Sequence, residues 1–127
     1  MAGTRVLVID DNAVNRRLVQ VLLHSRGYEM CEAASAPEAF ATLTEKPPDI
    51  ILMDIRLPGM DGLTATRKLK TDPATRDIPI VAVTSYAMKG DEEMARGAGC
   101  CAYVTKPLDQ TLFLETVARV LQGRPRT

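Results

Sequence analysis

The chain has no tryptophan, only three tyrosines and two phenylalanines, and a single histidine. So sparse an aromatic set leaves little to stack on a planar cofactor, and flavin binding is set aside on that ground. The three cysteines, Cys31, Cys100 and Cys101, form an odd count without metal-ligand spacing. Reduced thiols packed in a cytoplasmic domain are the expectation. Charge of neither sign is in excess, with 16 Lys+Arg against 16 Asp+Glu, so direct nucleic-acid or anionic-membrane binding is not expected. Long apolar runs are missing too. The first is short and ends in two aspartates, unlike a signal peptide, and nothing approaches the length of a membrane span.

Several chemistries lack their residues. There is no P-loop, Ser-His-Asp set or zinc spacing. Gly97-Ala-Gly-Cys-Cys-Ala102 fits G-x-G-x-x-A in form, but it follows a helix and precedes a strand, the reverse of a dinucleotide site. His24 falls on the polar side of the first helix, opposite Val14 and Leu18, and reads as an exposed helical histidine.

What remains is ordinary globular material: 127 residues, 46% apolar and 25% charged, enough for one domain with its own core. Five short apolar runs alternate with five helical patterns. After Asn12, the residues Val14, Leu18, Val21 and Leu22 recur at helical spacing, and Gly27 supplies a stop. Glu29–Ala34 reads as a second strand. Ser35-Ala-Pro-Glu38 has the form of a capping box ahead of Ala39, Phe40 and Leu43. Leu57–Gly62 is rich in turn formers and leads into a helix through Leu69, which Asp72-Pro73 breaks. A weak helix follows over roughly 89–98, supported by Met94 and Ala98, with Asp91-Glu92-Glu93 as its solvated first turn. Asp109 can cap a last helix with the stripe Leu112, Phe113, Val117, Val120 and Leu121. Residues 123–127 read as a frayed tail beyond a core of about 4–122. Strict alternation with near-continuous apolar strands predicts a doubly wound α/β domain, flavodoxin-like, with a five-stranded parallel sheet in the order 2-1-3-4-5.

Four strands end in chemically useful residues. Arg5–Ile9 runs into Asp10-Asp11, Ile50–Met53 into Asp54, Ile80–Val83 into Thr84-Ser85, and Ala102–Thr105 into Lys106-Pro107. Open parallel sheets bind ligands beyond the carboxyl ends of their strands, and this order puts strands one and three side by side. Asp10, Asp11 and Asp54 then converge. Two like charges ~4 Å apart cost about 4 kcal/mol at an effective dielectric near 20, so such a cluster raises a pKa or holds a cation. Oxygen donors alone select a hard ion such as Mg2+, or Mn2+. Lys106 and Thr84 add a positive charge and a hydroxyl, which suit a phosphoryl group carried on Asp54. Each ending alone has a plain alternative: Asp10-Asp11 can cap a helix, Thr84 can be a loop exit, Lys106 a solvated lysine.

The set Asp10-Asp11, Asp54, Thr84 and Lys106-Pro107, with Met53–Gly62, resembles the receiver domain of two-component response regulators, the CheY-like family, over essentially the whole chain. The resemblance implies that Asp54 accepts phosphate from a histidine kinase or phosphotransfer protein. It implies that Asp11 and Asp54 bind the metal, with Asp10 acting through water and the Arg56 backbone carbonyl completing the protein ligands. Thr84 and Tyr103 are implied as switch residues, Arg56 and Tyr86 as rate-tuning positions, and the Lys106-Pro107 bond as cis. The output is implied to be altered binding of a partner through the face made by the fourth helix, fifth strand and fifth helix, by a monomer or a weak phosphorylation-dependent dimer. Asp11-Asn12 with Asn15, and Tyr86–Asp91, resemble DivK-like single-domain regulators in particular. Met1 and the short tails favour a complete protein over a receiver excised from a hybrid histidine kinase. Two other classes are weighed: a phosphohydrolase, which typically has an acid aspartate where Arg56 stands, and a degenerate docking module, which the intact residue set opposes.

Overall fold

A computed structural model describes residues 4–57, 60–84, 90–106 and 108–123. Strands β1 (Arg5–Ile9), β2 (Glu29–Ala33), β3 (Ile50–Asp54), β4 (Ile80–Thr84) and β5 (Ala102–Thr105) alternate with helices α1 (Ala13–His24), α2 (Ala36–Glu45), α3 (Gly62–Thr71), α4 (Asp91–Ala98) and α5 (Gln110–Gly123). The strands pair in parallel in the order β2-β1-β3-β4-β5. This is the expected flavodoxin-like sheet.

Burial of both sheet faces explains why β1, β3 and β4 read as unbroken apolar runs. Leu7, Ile9, Ile51, Met53, Ile80 and Ala82 face Ala36, Ala39 and Leu43 of α2, Ala65 and Leu69 of α3, and Ala95 of α4. Val6, Val8, Ile50, Leu52, Val81 and Val83 face Val19, Leu22 and Leu23 of α1, and Phe113, Leu114 and Val117 of α5. Strand β2, at one edge, carries exposed Glu29 and Glu32, which discourage further pairing there.

The helix starts follow their caps. The Ser35 hydroxyl accepts from Glu38 N at 3.4 Å, and Asp109 Oδ1 accepts from Leu112 N at 2.9 Å. Asp61 caps α3 by accepting from Thr64 N at 2.9 Å. Gly99 closes α4 at φ 118, a left-handed turn that suits glycine, so Gly97–Ala102 is a helix stop and not a ligand loop.

Three packing expectations are corrected. On α1, Val14, Leu18 and Val21 are 76%, 44% and 58% exposed; of the expected stripe only Leu22 meets the sheet, joined by Val19 and Leu23. Two apolar stripes share this helix, and only the docking angle chooses between them. Met94 of α4 and Leu112 of α5 are also exposed, their core places being taken by Ala95 and Leu114. Finally, α5 extends through Gly123, one residue into the expected tail.

Candidate functional site

The parallel sheet delivers the four polar strand ends to one edge. Ile9 pairs with Met53, so Asp10 and Asp54 follow on adjacent strands; Asp54 pairs with Val83, and Thr84 with Thr105. Oxygens of Asp10, Asp11 and Asp54 lie within 4.8 Å of one another. Asp10 and Asp54 are buried, whereas Asp11 is exposed at the rim.

Neither aspartate of the first pair caps α1. Asn12 does so, its Oδ1 accepting from Val14 N at 2.9 Å and Asn15 N at 3.1 Å. Asp10 Oδ1 accepts from Asn12 N at 2.9 Å, which aims its second oxygen inward. Arg16 braces the turn, donating to the Asp10 carbonyl at 2.6 Å and pairing with Glu32 at 2.7 Å. On β3, Asp54 Oδ1 accepts from Arg56 N at 2.9 Å.

Lys106 Nζ bridges the two buried carboxylates, at 2.8 Å from Asp10 Oδ2 and 3.4 Å from Asp54 Oδ2. Its backbone N–H donates to the Thr84 carbonyl at 2.7 Å, which fixes the chain that carries the ammonium. Burial dominates at Asp54 and holds its carboxyl above the ordinary carboxylate value; the Arg56 N–H and Lys106 pull it back, and Asp10 pushes it further up. Burial opposes the charged form of Lys106, but the hydrogen bond to Asp10 and the charges of Asp54 and Asp10 outweigh it, so its pKa is raised. The carboxylates thus hold the ammonium firmly, while Asp54 itself sits uneasily as an anion.

That unease is measurable. A carboxylate whose pKa rises on folding contributes stability at acid pH that is lost as pH climbs through the raised value. Asp54→Asn keeps the Arg56 N–H bond and removes the buried charge. In Mg2+-free buffer at pH 7 it should raise Tm by roughly 2–8 °C, the span that ~1 kcal/mol produces in small domains. The gain should shrink towards pH 4. Thermal melts across that range check it; a variant less stable than the parent at pH 7 would contradict it.

The other residues expected at the site are spread around it. Thr84 is buried at the end of β4. Tyr103 lies within β5, half-buried against the helix α3 and α4 side of the sheet, and its buried hydroxyl has no hydrogen-bond partner among the described residues. Arg56 exposes its side chain, 4.0 Å from Asp91 of α4, so the first turn of α4 is not merely solvated. Ser85, Tyr86 and Pro107, and with them the cis bond and one rate-tuning position, fall outside the described residues. His24 is exposed, as expected. The three thiols are free: Cys100 is buried, Cys31 half-buried and Cys101 exposed.

Two contributions were not legible in advance. Gly62 sits against the Asp54 peptide, its N–H donating to Ile55 O at 3.1 Å; it was visible only as the end of a turn-rich segment and of the Met53–Gly62 resemblance, neither of which showed this backbone approach. The Arg56–Asp91 contact gave no sequence signal.

A five-stranded parallel sheet with this order, and aspartates and a lysine gathered at one strand edge, defines a CheY-like receiver fold. The model of the response regulator receiver domain matches residues 6–118, and the chain belongs to that family, whose members are signalling proteins of two-component systems. It is 45% identical over 116 residues to the polar-differentiation response regulator DivK of Brucella ovis, covering 91% of this chain and 94% of that protein. Among solved structures it resembles the receiver domain of a sensor histidine kinase from Pseudomonas aeruginosa, described with a magnesium ion coordinated in its active-site cleft. There the identity is 34%, with 96% of this chain and 100% of that one covered, at a TM-score of 0.87. The chemotaxis protein CheY4 of Vibrio cholerae is 27% identical, with 94% and 99% covered, and also gives a TM-score of 0.87. No helix among the described residues is long and apolar enough to cross a membrane.

Proposed function

We propose that the chain is a phosphoacceptor switch in which one receiver domain, spanning residues 1–127, takes a phosphoryl group on Asp54. The observation that carries this reading is the Asp54 carboxylate at the end of the central strand, buried, with Lys106 Nζ 3.4 Å away and Asp10 and Asp11 beside it. A carboxylate oxygen of Asp54 forms the new P–O bond as the P–N bond to a donor imidazole breaks, and the imidazole leaves. Lys106 then stabilises charge on the phosphoryl oxygens, and the Arg56 N–H keeps the carboxylate oriented during attack.

The donor set is all oxygen and suits a divalent hard cation, Mg2+ or Mn2+. Asp11 and Asp54 would hold it, with Asp10 acting through water and the Arg56 carbonyl as a further ligand. Such an ion supplies charge neutralisation for the incoming phosphoryl group. Thr84 and Tyr103 are the proposed switch residues, and Arg56 and Tyr86 the proposed rate-tuning positions. The partners are a histidine kinase or phosphotransfer protein upstream and, through the face of α4, β5 and α5, a target protein downstream, in the cytoplasm. Likeness to DivK favours a switch that works by binding a partner.

Intact mass after incubation with a small-molecule phosphodonor tests this. A single phosphoryl adduct that requires Mg2+ and is absent from Asp54→Asn is expected. An adduct that survives in Asp54→Asn would overturn the reading by placing the phosphoryl group on another residue, and steady donor consumption without an adduct would overturn it in favour of a phosphohydrolase.

A further inference from the structure

The three carboxylates of the site are not held in the same way. Asp10 accepts from Asn12 N at 2.9 Å and from Lys106 Nζ at 2.8 Å. Asp54 accepts from Arg56 N at 2.9 Å and from Lys106 Nζ at 3.4 Å. The Asp11 carboxylate is exposed, and among the described residues no hydrogen bond or ion pair holds it. Its place within 4.8 Å of the other two is therefore set by its backbone.

Arg16 holds that backbone. Its Nη1 donates to the Asp10 carbonyl at 2.6 Å, and its Nε donates to Glu32 Oε1 of β2 at 2.7 Å. On the other side of the same residue, the Asp10 N–H donates to Ala33 O of β2 at 3.1 Å. The Asp10 carbonyl belongs to the peptide that joins Asp10 to Asp11. A peptide is planar, so fixing its carbonyl fixes the plane from which Asp11 hangs. The guanidinium reaches both acceptors because its donors form a rigid fork. Its side chain is only 16% exposed, so water competes little for those donors.

We propose that Arg16 is a positioning residue for the divalent cation, setting the affinity of the site by holding the Asp10–Asp11 peptide. It reaches no carboxylate of the site itself. The inference rests on the metal reading of the three aspartates, and it fixes the sign of one effect. As a bare positive charge beside a cation site, Arg16 would oppose binding, and its removal would tighten it. As a clamp it favours binding, and its removal should weaken it, as happens when groups that orient metal ligands are lost.

The test is a Mg2+ titration of the full chain at constant ionic strength, without phosphodonor, followed through the 15N amide signals of Asp11 and Arg56. Arg16→Met should weaken Mg2+ binding about tenfold. Arg16→Lys keeps the charge but lacks the fork, so its affinity should fall between the parent and Arg16→Met. Arg17→Met removes the same charge from an exposed neighbour and should not weaken binding. Equal or tighter binding by Arg16→Met overturns the clamp, and so does an equal loss in Arg17→Met. A parent-like affinity in Arg16→Lys overturns it too, and this variant decides the matter should Arg16→Met fail to fold. A parent protein that binds no Mg2+ overturns the metal reading itself, and the clamp with it.

Discussion

Gly62→Ala should unfold or distort this protein more than any other single-methyl change at the glycines among the described residues. A Cβ at Gly62 would collide with the Asp54 carbonyl oxygen and the Ile55 Cα, both backbone atoms that no rotamer change can move. The same glycine donates its N–H to Ile55 O, so α3 begins in direct register with the turn after β3. A loss of about 3–5 kcal/mol is expected, at the upper end for overpacking because the neighbours cannot yield. Any protein that remains folded must shift α3 or the Asp54 peptide. A misplacement near 1 Å costs about 10²-fold in a positioned reaction, so phosphorylation of the folded fraction should slow by about that factor. Gly97→Ala is the control. Nothing lies within 4 Å of its added methyl, and it sits inside α4, so it should stabilise by about 0.5–1 kcal/mol. Denaturant melts of both variants decide the matter; a Gly62→Ala protein as stable as its parent would contradict the packing described.

Lys106→Met should be the second large effect, and its size should depend on conditions. Lys106 neutralises two carboxylates that are themselves buried, with side-chain exposures of 7% for Asp10 and 9% for Asp54. Removing one partner of a buried ionic group costs about 3–5 kcal/mol because the remaining charges stay desolvated. Here two anions are left facing each other, so a comparable loss is expected at pH 7 without divalent cations. Acid should restore stability as Asp54, whose carboxyl already sits above the ordinary value, takes up its proton. Millimolar Mg2+ should also restore it, and should stabilise the variant more than the parent, since the ammonium no longer competes for the carboxylates. Thermal melts on a grid of pH and Mg2+ test both recoveries. A variant insensitive to both would mean that the lysine contributes packing alone.

These two residues illustrate what was legible from sequence. Lys106 was visible because a lysine at the end of an apolar strand gains meaning from three other strands that end in polar groups. Periodicity gave the elements, parallel-sheet geometry gave the convergence, and the carboxylate chemistry gave the metal and phosphoryl reading. Gly62 was not visible in the same way. Its importance lies in a backbone approach between segments, and the turn-rich stretch Leu57–Gly62 holds two glycines of equal promise. On α1 the difficulty was different. The expected stripe Val14, Leu18, Val21 and Leu22 and the observed one, Val19, Leu22 and Leu23, share Leu22, and hydrophobicity alone does not say which of the two meets the sheet. The pair Arg56–Asp91 was hidden for a third reason: it joins side chains on separate elements, and the acidic turn of α4 has a sufficient local explanation in the helix dipole.

The central claim is that the phosphoryl bond forms on Asp54, and trapping the acyl phosphate tests it most directly. Borohydride reduces an aspartyl phosphate to homoserine, which survives proteolysis and can be placed by peptide sequencing. After reaction with a phosphodonor and Mg2+, homoserine at position 54, and at no other aspartate, is the predicted result. Homoserine at position 10 or 11, or none in protein shown by intact mass to be phosphorylated, would contradict the account.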